Sequence, residues 1–261
     1  MENLKAKKSF GQHFLKHDSI AARIADGMQR ADETQKVLEV GPGMGILTQQ
    51  LLLQKERYNT WAVEADADMV TYLKGHFPDL SERLIFQDFL EFRPDTVFGN
   101  DPFCLIGNFP YNISTQILFK VLDYRQQIPE MVGMFQKEVA DRVVAPPGSK
   151  VYGITSVLLQ AFYRTEYLFT VERGSFNPPP KVLSAVIRLT RKEGFDLGCS
   201  EKLFKNIVKT AFNQRRKMLR NTLKPFFPNE MLMADPFFEK RPENLGWEEY
   251  VTLTQRASAS H

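Results

Sequence analysis

Apolar positions along the chain fall into two alternating rhythms. Short apolar runs at Val37–Val40, Thr60–Glu64, Arg83–Gln87, Phe103–Gly107 and Met131–Gln136 read as strands. Between them, Ile20, Ile24 and Met28, then Ile46–Leu53, Asp66–Phe77, a stretch beginning near Ser114, and Lys137–Val144 carry the spacing of helices; Asp18 is the expected cap of the first. Strand alternating with helix predicts an α/β fold, a parallel sheet with helices on both faces. Further on, Ile154–Phe162 reads as a helix, and Glu166–Val171 with Val182–Leu189 as a closing strand pair. Arg191–Ser200 is polar and glycine-containing, a linker, and from Glu201 the pattern is helical with breaks at Pro225, Pro228 and Pro236. The expected division is a sheet domain over residues 1–190 and a small all-α domain over 191–261.

The stretch Val37-Leu-Glu-Val-Gly-Pro-Gly-Met-Gly-Ile-Leu47 changes the picture from fold to chemistry. A strand runs into glycines 41, 43 and 45 and then directly into a helix, the form of a nucleotide-binding turn, where the backbone needs positive φ and a ligand approaches main-chain atoms. A dinucleotide fingerprint places its third glycine three residues after the second. Here that position is Ile46. The spacing, preceded by Glu39, resembles the first motif of Rossmann-like methyltransferases that bind S-adenosylmethionine. About twenty residues on, Glu64 ends a strand where a carboxylate can accept from both ribose hydroxyls, unless it is a water-exposed strand end. Asp88 closes the next strand and would accept from the cofactor's adenine amine; without that context it is a turn residue.

Composition narrows the setting. Apolar content is 43% and no apolar run approaches the roughly 18 residues of a membrane span. The basic start, Met1–Lys8, leads into no apolar signal core. Cys104 and Cys199 are far apart and offer neither a disulfide framework nor metal spacing, so a reduced cytoplasm is expected, with no metal and no membrane. Net charge is +3, but Glu201–Lys224 alone holds eight basic residues and one acidic, leaving −4 for the rest. Such a block is either a solvated face or a surface for a polyanion.

Phe103–Gly107 runs into Asn108-Phe-Pro-Tyr111, matching the fourth motif of methyltransferases that act on exocyclic amines. An adenine amine is a poor nucleophile because its lone pair is delocalised into the ring. If the Asn108 carboxamide oxygen and a main-chain carbonyl accept its two protons, the nitrogen can pyramidalise. Pro110 removes an amide donor and fixes φ, and Tyr111 can stack on the base, which is worth about 1–3 kcal/mol and offsets base extrusion. Phe176-Asn-Pro-Pro-Pro-Lys-Val182 is expected to be a surface loop that cannot join the sheet, either a wall of the base pocket or a spacer.

Gln12-His-Phe-Leu15, Glu39-Val-Gly-Pro-Gly-Met-Gly45, Asn108-Phe-Pro-Tyr-Asn-Ile-Ser114, Phe135-Gln-Lys-Glu-Val139, Phe176–Val182 and Ala211-Phe-Asn-Gln-Arg-Arg-Lys-Met-Leu-Arg-Asn221, in this order from about Lys8 to Leu223, closely resemble the small-subunit rRNA adenine N6-dimethyltransferases of the KsgA type. The resemblance implies a class I methyltransferase fold. It also implies dimethylation of two adjacent adenosines near the 3′ end of small-subunit rRNA, within an immature subunit late in assembly; nothing in the sequence requires more than a monomer. It implies that His13 and Leu15 contact the cofactor, Gly41 and Gly43 lie under it, Glu64 holds its ribose, Asp88 its adenine, and Asn108 the reacting centre. Two positions depart from the pattern: His13, where Asn is more usual, and Leu183, where an acidic or amide residue is usual. Two other readings stay open, a large-subunit adenine methyltransferase of the macrolide-resistance kind and an assembly checkpoint whose catalysis is incidental.

Overall fold

A computed structural model describes residues 11–194 and 196–259. Lys7 to Phe10 of the basic, aromatic lead-in lie outside the described residues. In chain order the elements are β1 (Phe14–Leu15), α1 (Asp18–Asp26), α2 (Ala31–Thr34), β2 (Lys36–Val40), α3 (Ile46–Leu52), β3 (Asn59–Glu64), α4 (Ala67–His76), β4 (Leu84–Phe86), α5 (Asp95–Phe98), β5 (Cys104–Asn108), α6 (Ser114–Asp123), β6 (Glu130–Gln136), α7 (Lys137–Val144), α8 (Ile154–Phe162), β7 (Tyr163–Val171), β8 (Phe176–Asn177), β9 (Ser184–Arg191), α9 (Glu201–Phe212), α10 (Leu219–Thr222), α11 (Asn229–Ala234) and α12 (Trp247–Ala259). They form two compact units, residues 1–140 with 165–191, and residues 141–164 with 192–261.

The first unit carries a seven-stranded sheet in the order β4-β3-β2-β5-β6-β9-β7. β2, β3, β4, β5 and β6 run parallel, and β9 returns antiparallel along β6. Val37, Leu38, Cys104, Leu105, Ile106, Met131 and Val132 are sealed from solvent, as parallel strands covered on both faces must be. Because the chain moves outward from β2 to β3 and β4 and then crosses back to β5, the order reverses between β2 and β5. Open α/β sheets bind ligands at the carboxyl ends of the strands flanking such a reversal, and here those ends are Val40 and Asn108.

Three local expectations change. His17, not Asp18, occupies the cap position of α1, with no side-chain cap hydrogen bond; Asp18 is the first helical residue, where its negative charge still complements the positive end of the helix dipole. The segment expected to stay out of any sheet contributes Phe176 and Asn177 to a two-stranded antiparallel pair with Leu15 and Phe14; the prolines that follow do not join it. The strand pair sits slightly elsewhere, at Tyr163–Val171 and Ser184–Arg191.

The second unit is helical. Val157, Leu158 and Ala161 of α8, Phe204, Ile207, Val208 and Ala211 of α9, and Tyr250, Leu253 and Ala257 of α12 are buried as one three-helix core. It draws in Asp141–Arg164, which a division at residue 190 assigns to the sheet domain. No helix among the described residues is long and apolar enough to cross a membrane.

Candidate functional site

A cavity of about 240 Å³ opens at the reversal between β2 and β5, and its lining includes His13, Leu15, Gly41, Gly43, Glu64, Asp88, Asn108, Pro110 and Tyr111. These nine residues therefore border one space, while none of residues 176–182, the alternative wall of the base pocket, is among its lining.

The floor is the glycine turn. Gly41, Gly43 and Gly45 all have positive φ (66°, 55° and 81°). At Gly43 the backbone must also pass under an aromatic ring: a Cβ there would stand 3.1 Å from the ring of Phe14. The Gly43 N–H donates to Glu64 Oε2 at 3.1 Å, while Glu64 Oε1 accepts from the N–H groups of Ala65 and Asp66, each at 2.9 Å. Glu64 is thus no water-exposed strand end. It is 6% exposed, and burial raises its pKa against the lowering effect of those three donors.

Glu39 is the residue that sequence reasoning under-used. It was legible only as the acid before the glycines, yet it lines the cavity at 1% exposure and accepts from the Thr48 hydroxyl at 2.6 Å. Burial, with the nearby Glu64 adding to it, pushes its pKa up to about 8. No sequence signal distinguishes a buried strand-end acid from a solvated one.

Gln12 to Leu15 form a strap held at four points. The Gln12 side chain donates to Asp66 Oδ2 (3.1 Å), His13 Nδ1–H donates to the Pro178 carbonyl (2.8 Å), the His13 carbonyl accepts from Asn108 Nδ2 (3.0 Å), and β1 pairs with β8. The Pro178 contact is what the proline loop contributes; the prolines themselves are not in the cavity lining. Asp88 is exposed, one carboxylate oxygen closing its own turn through the Leu90 N–H at 2.8 Å. Lys120 pins that turn by donating to the carbonyls of Leu90 (3.0 Å) and Phe92.

The Asn108–Tyr111 turn is set by what lies beneath it. Phe109 is 1% exposed and points into the sheet, over Gly107 of β5 and Gly133 of β6, which are register partners. A Cβ at Gly133 would stand 2.1 Å from the Phe109 ring. Two neighbouring glycines on adjacent strands are the signal that could have found this seat. The Pro110 carbonyl already accepts from the Ile113 N–H and the Ser114 hydroxyl. Tyr111 is half-buried, its pKa raised by burial, and its hydroxyl lies 2.5 Å from Ser184 Oγ. The His13 ring stands 5.3 Å from the Tyr111 ring, tilted 31°. That is direct ring contact, so no third ring fits between them. No group of His, Cys, Asp and Glu among the described residues could hold a metal ion.

On the helical unit, Lys202, Lys209, Arg216, Lys217 and Lys224 are exposed cations with no carboxylate partner among the described residues. Arg215 faces Glu243 at 3.5 Å and Arg220 faces Glu239 at 3.3 Å.

A family model described as ribosomal RNA adenine dimethylase matches residues 3–240. A protein named ribosomal RNA small subunit methyltransferase A from Flavobacterium johnsoniae is 54% identical over 99% of this chain and 98% of its own length. One of the same name from Parabacteroides distasonis is 55% identical over 97% and 94%. Among solved structures, a dimethyladenosine transferase from Plasmodium falciparum superposes with a TM-score of 0.78 at 26% identity, covering 95% of this chain and 98% of that one. The α/β fold expected from the alternating pattern is the fold of that methyltransferase.

Proposed function

We propose a function from one premise: the chain belongs to the ribosomal RNA adenine dimethylase family. It transfers methyl groups from S-adenosylmethionine to the N6 amines of two adjacent adenosines near the 3′ end of small-subunit (16S) rRNA, late in assembly of the small ribosomal subunit. The substrate is the immature subunit, and the enzyme acts as a cytoplasmic monomer. The observation that carries this reading is that the Asn108–Tyr111 turn and the glycine turn open into one cavity from the two strands flanking the sheet's reversal.

The cavity fits a nucleoside sulfonium. A Cβ at Gly41 would stand in the gap toward Pro110, 4.0 Å from its Cδ, so the missing side chain is what leaves the cradle open. Glu64 offers buried acceptor oxygens beside the glycines for ribose hydroxyls, and the Asp88 oxygen not used in its turn is an acceptor for an adenine amine. His13 and Leu15 close the methionine end. When bound, S-adenosylmethionine supplies an electrophilic methyl group.

The chain's own part is to make the target amine nucleophilic. The His13 carbonyl can be met only by the NH₂ of the Asn108 carboxamide, which leaves Oδ1 as the acceptor for one N6 proton. Because the Pro110 carbonyl is already shared by two donors, the adjacent Phe109 carbonyl is the main-chain acceptor for the other. Tyr111 stacks on the extruded base by the face that His13 does not cover. No residue need act as general base, since the alkylated nitrogen is acidic and loses its proton to water. The exposed cations of α9 and the turn after it meet rRNA phosphates. Tritium transfer from labelled S-adenosylmethionine to purified immature small subunits, followed by nucleoside analysis, should yield N6,N6-dimethyladenosine; label in naked large-subunit rRNA instead would refute the substrate.

A further inference from the structure

Stacking needs only a ring face, and any aromatic side chain at position 111 would supply one. The phenol oxygen of Tyr111 therefore calls for its own explanation, and its contact is specific: it lies 2.5 Å from Ser184 Oγ. Ser184 is sealed from solvent at the start of β9, where it faces Gln136, the last residue of β6, in register. The carbonyl of the preceding Leu183 accepts from the Lys137 N–H at 2.9 Å, so the backbone carrying Ser184 is fastened on both sides. At its other end the Tyr111 ring hangs from a one-turn 3-10 helix directly after Pro110. The ring thus has two anchors, one through its own Cα and one through a hydroxyl on a strand over seventy positions away in sequence.

We propose that Ser184 is a positioning residue for the base-stacking platform: its hydroxyl holds the Tyr111 phenol so that the ring stands at a fixed angle beside Asn108 when the target adenine arrives. This rests on the reading that Tyr111 receives the base. Ser and Tyr hydroxyls each donate and accept, so the pair satisfies itself without water. Removing either hydroxyl leaves the other without its partner and frees the ring to turn, so the two deletions damage one and the same contact.

The test is a double-mutant cycle on single-turnover methyl transfer to immature small subunits, with cofactor dissociation constant and thermal midpoint measured alongside. Ser184→Ala and Tyr111→Phe should each slow transfer on the order of tenfold, and the double variant should be no slower than either. Cofactor affinity should stay at the parental value in all three. Losses that multiply in the double variant, or parental rates in the single variants, would overturn the proposal. Should Ser184→Ala fail to fold, Tyr111→Phe decides alone, a tenfold loss supporting the contact and a parental rate ending it. Tyr111→Ala separates the two levels of argument. If it transfers at the parental rate, the stacking role itself is wrong. If it is impaired while Ser184→Ala and Tyr111→Phe are not, only the role of Ser184 falls.

Discussion

The side-chain amide of Asn108 donates to the main-chain carbonyl of His13 at 3.0 Å, tying the end of β5 to the amino-terminal strap. The bond fixes which way the carboxamide faces, since its NH₂ is taken and its oxygen is not. Asn108→Ala should lower single-turnover transfer by about 10²–10³, the range for loss of one preorganised polar contact to a reacting group, with particle binding nearly intact. Asn108→Asp should be as poor although it keeps acceptor oxygens, because it has no donor for the His13 carbonyl. Near-parental turnover by the Asp variant would remove the orienting role of that bond.

Glu64 holds the glycine turn from beneath through the Gly43 N–H, and the helix entry through Ala65 and Asp66. Replacing it by Gln should weaken S-adenosylmethionine binding by about 1.5–3 kcal/mol, the range for hydrogen bonds to a charged group. Isothermal titration measures this directly. An unchanged dissociation constant would eliminate the ribose assignment.

Phe109 over Gly133 gives a prediction about packing. Gly133→Ala puts a Cβ where the ring now lies, so the ring and the turn above it must move. We expect a stability loss of about 1–3 kcal/mol by denaturant titration, as for overpacked cores, and a fall in transfer at temperatures where the variant is fully folded. Gly75→Ala in α4 is the control: nothing lies within 4 Å of its Cβ position, and it should gain about 0.5–1 kcal/mol from helix propensity.

These residues show which parts of the molecule were legible in the sequence. The glycine turn, Glu64, Asp88 and the Asn108–Tyr111 turn stood out because each couples a strand end to residue types that local geometry or chemistry demands. All of them border the cavity. The pairing of Phe14–Leu15 with Phe176–Asn177 did not stand out, because two-residue strands carry no period. Ser184 looked like an ordinary strand residue, since its meaning depends on Tyr111 far away in sequence. The apolar face of α8 was visible, but a hydrophobic stripe does not name what it packs on, and it packs on α9 and α12.

Buried Glu39 makes stability depend on pH with a definite sign. Its pKa in the folded chain is about 8, against 4.5 for the free side chain. Below about 4.5 both folded and unfolded states hold the proton and nothing is lost. As pH rises from there to about 8 the unfolded chain ionises while the folded one does not, so folding stability falls, then levels off. At about 1.4 kcal/mol per pH unit separating the two values, the loss is on the order of 5 kcal/mol. Glu39→Gln should flatten this decline in urea titrations run between pH 5 and 8. An identical slope in the variant would show that the carboxyl is ionised when folded.

The basic block fixes how RNA binding responds to salt. Of the eight basic residues, Arg215 and Arg220 face carboxylates and Lys205 is half-buried, leaving Lys202, Lys209, Arg216, Lys217 and Lys224 exposed without carboxylate partners among the described residues. Each cation seated on a phosphate releases about 0.7 of a counterion from single-stranded RNA and about 0.9 from a duplex. If all five meet phosphates, log affinity should fall with log salt at a slope of roughly −3.5 to −4.5. Replacing Arg216 and Lys217 together by Gln should reduce the magnitude of that slope by about 1.4–1.8. The same pair of changes should leave binding of S-adenosylmethionine alone untouched, because the cavity proposed for that ligand is lined by residues of the sheet unit. A flat salt response in the parent chain would make the block a solvated face and return the question of where rRNA is held to the sheet unit.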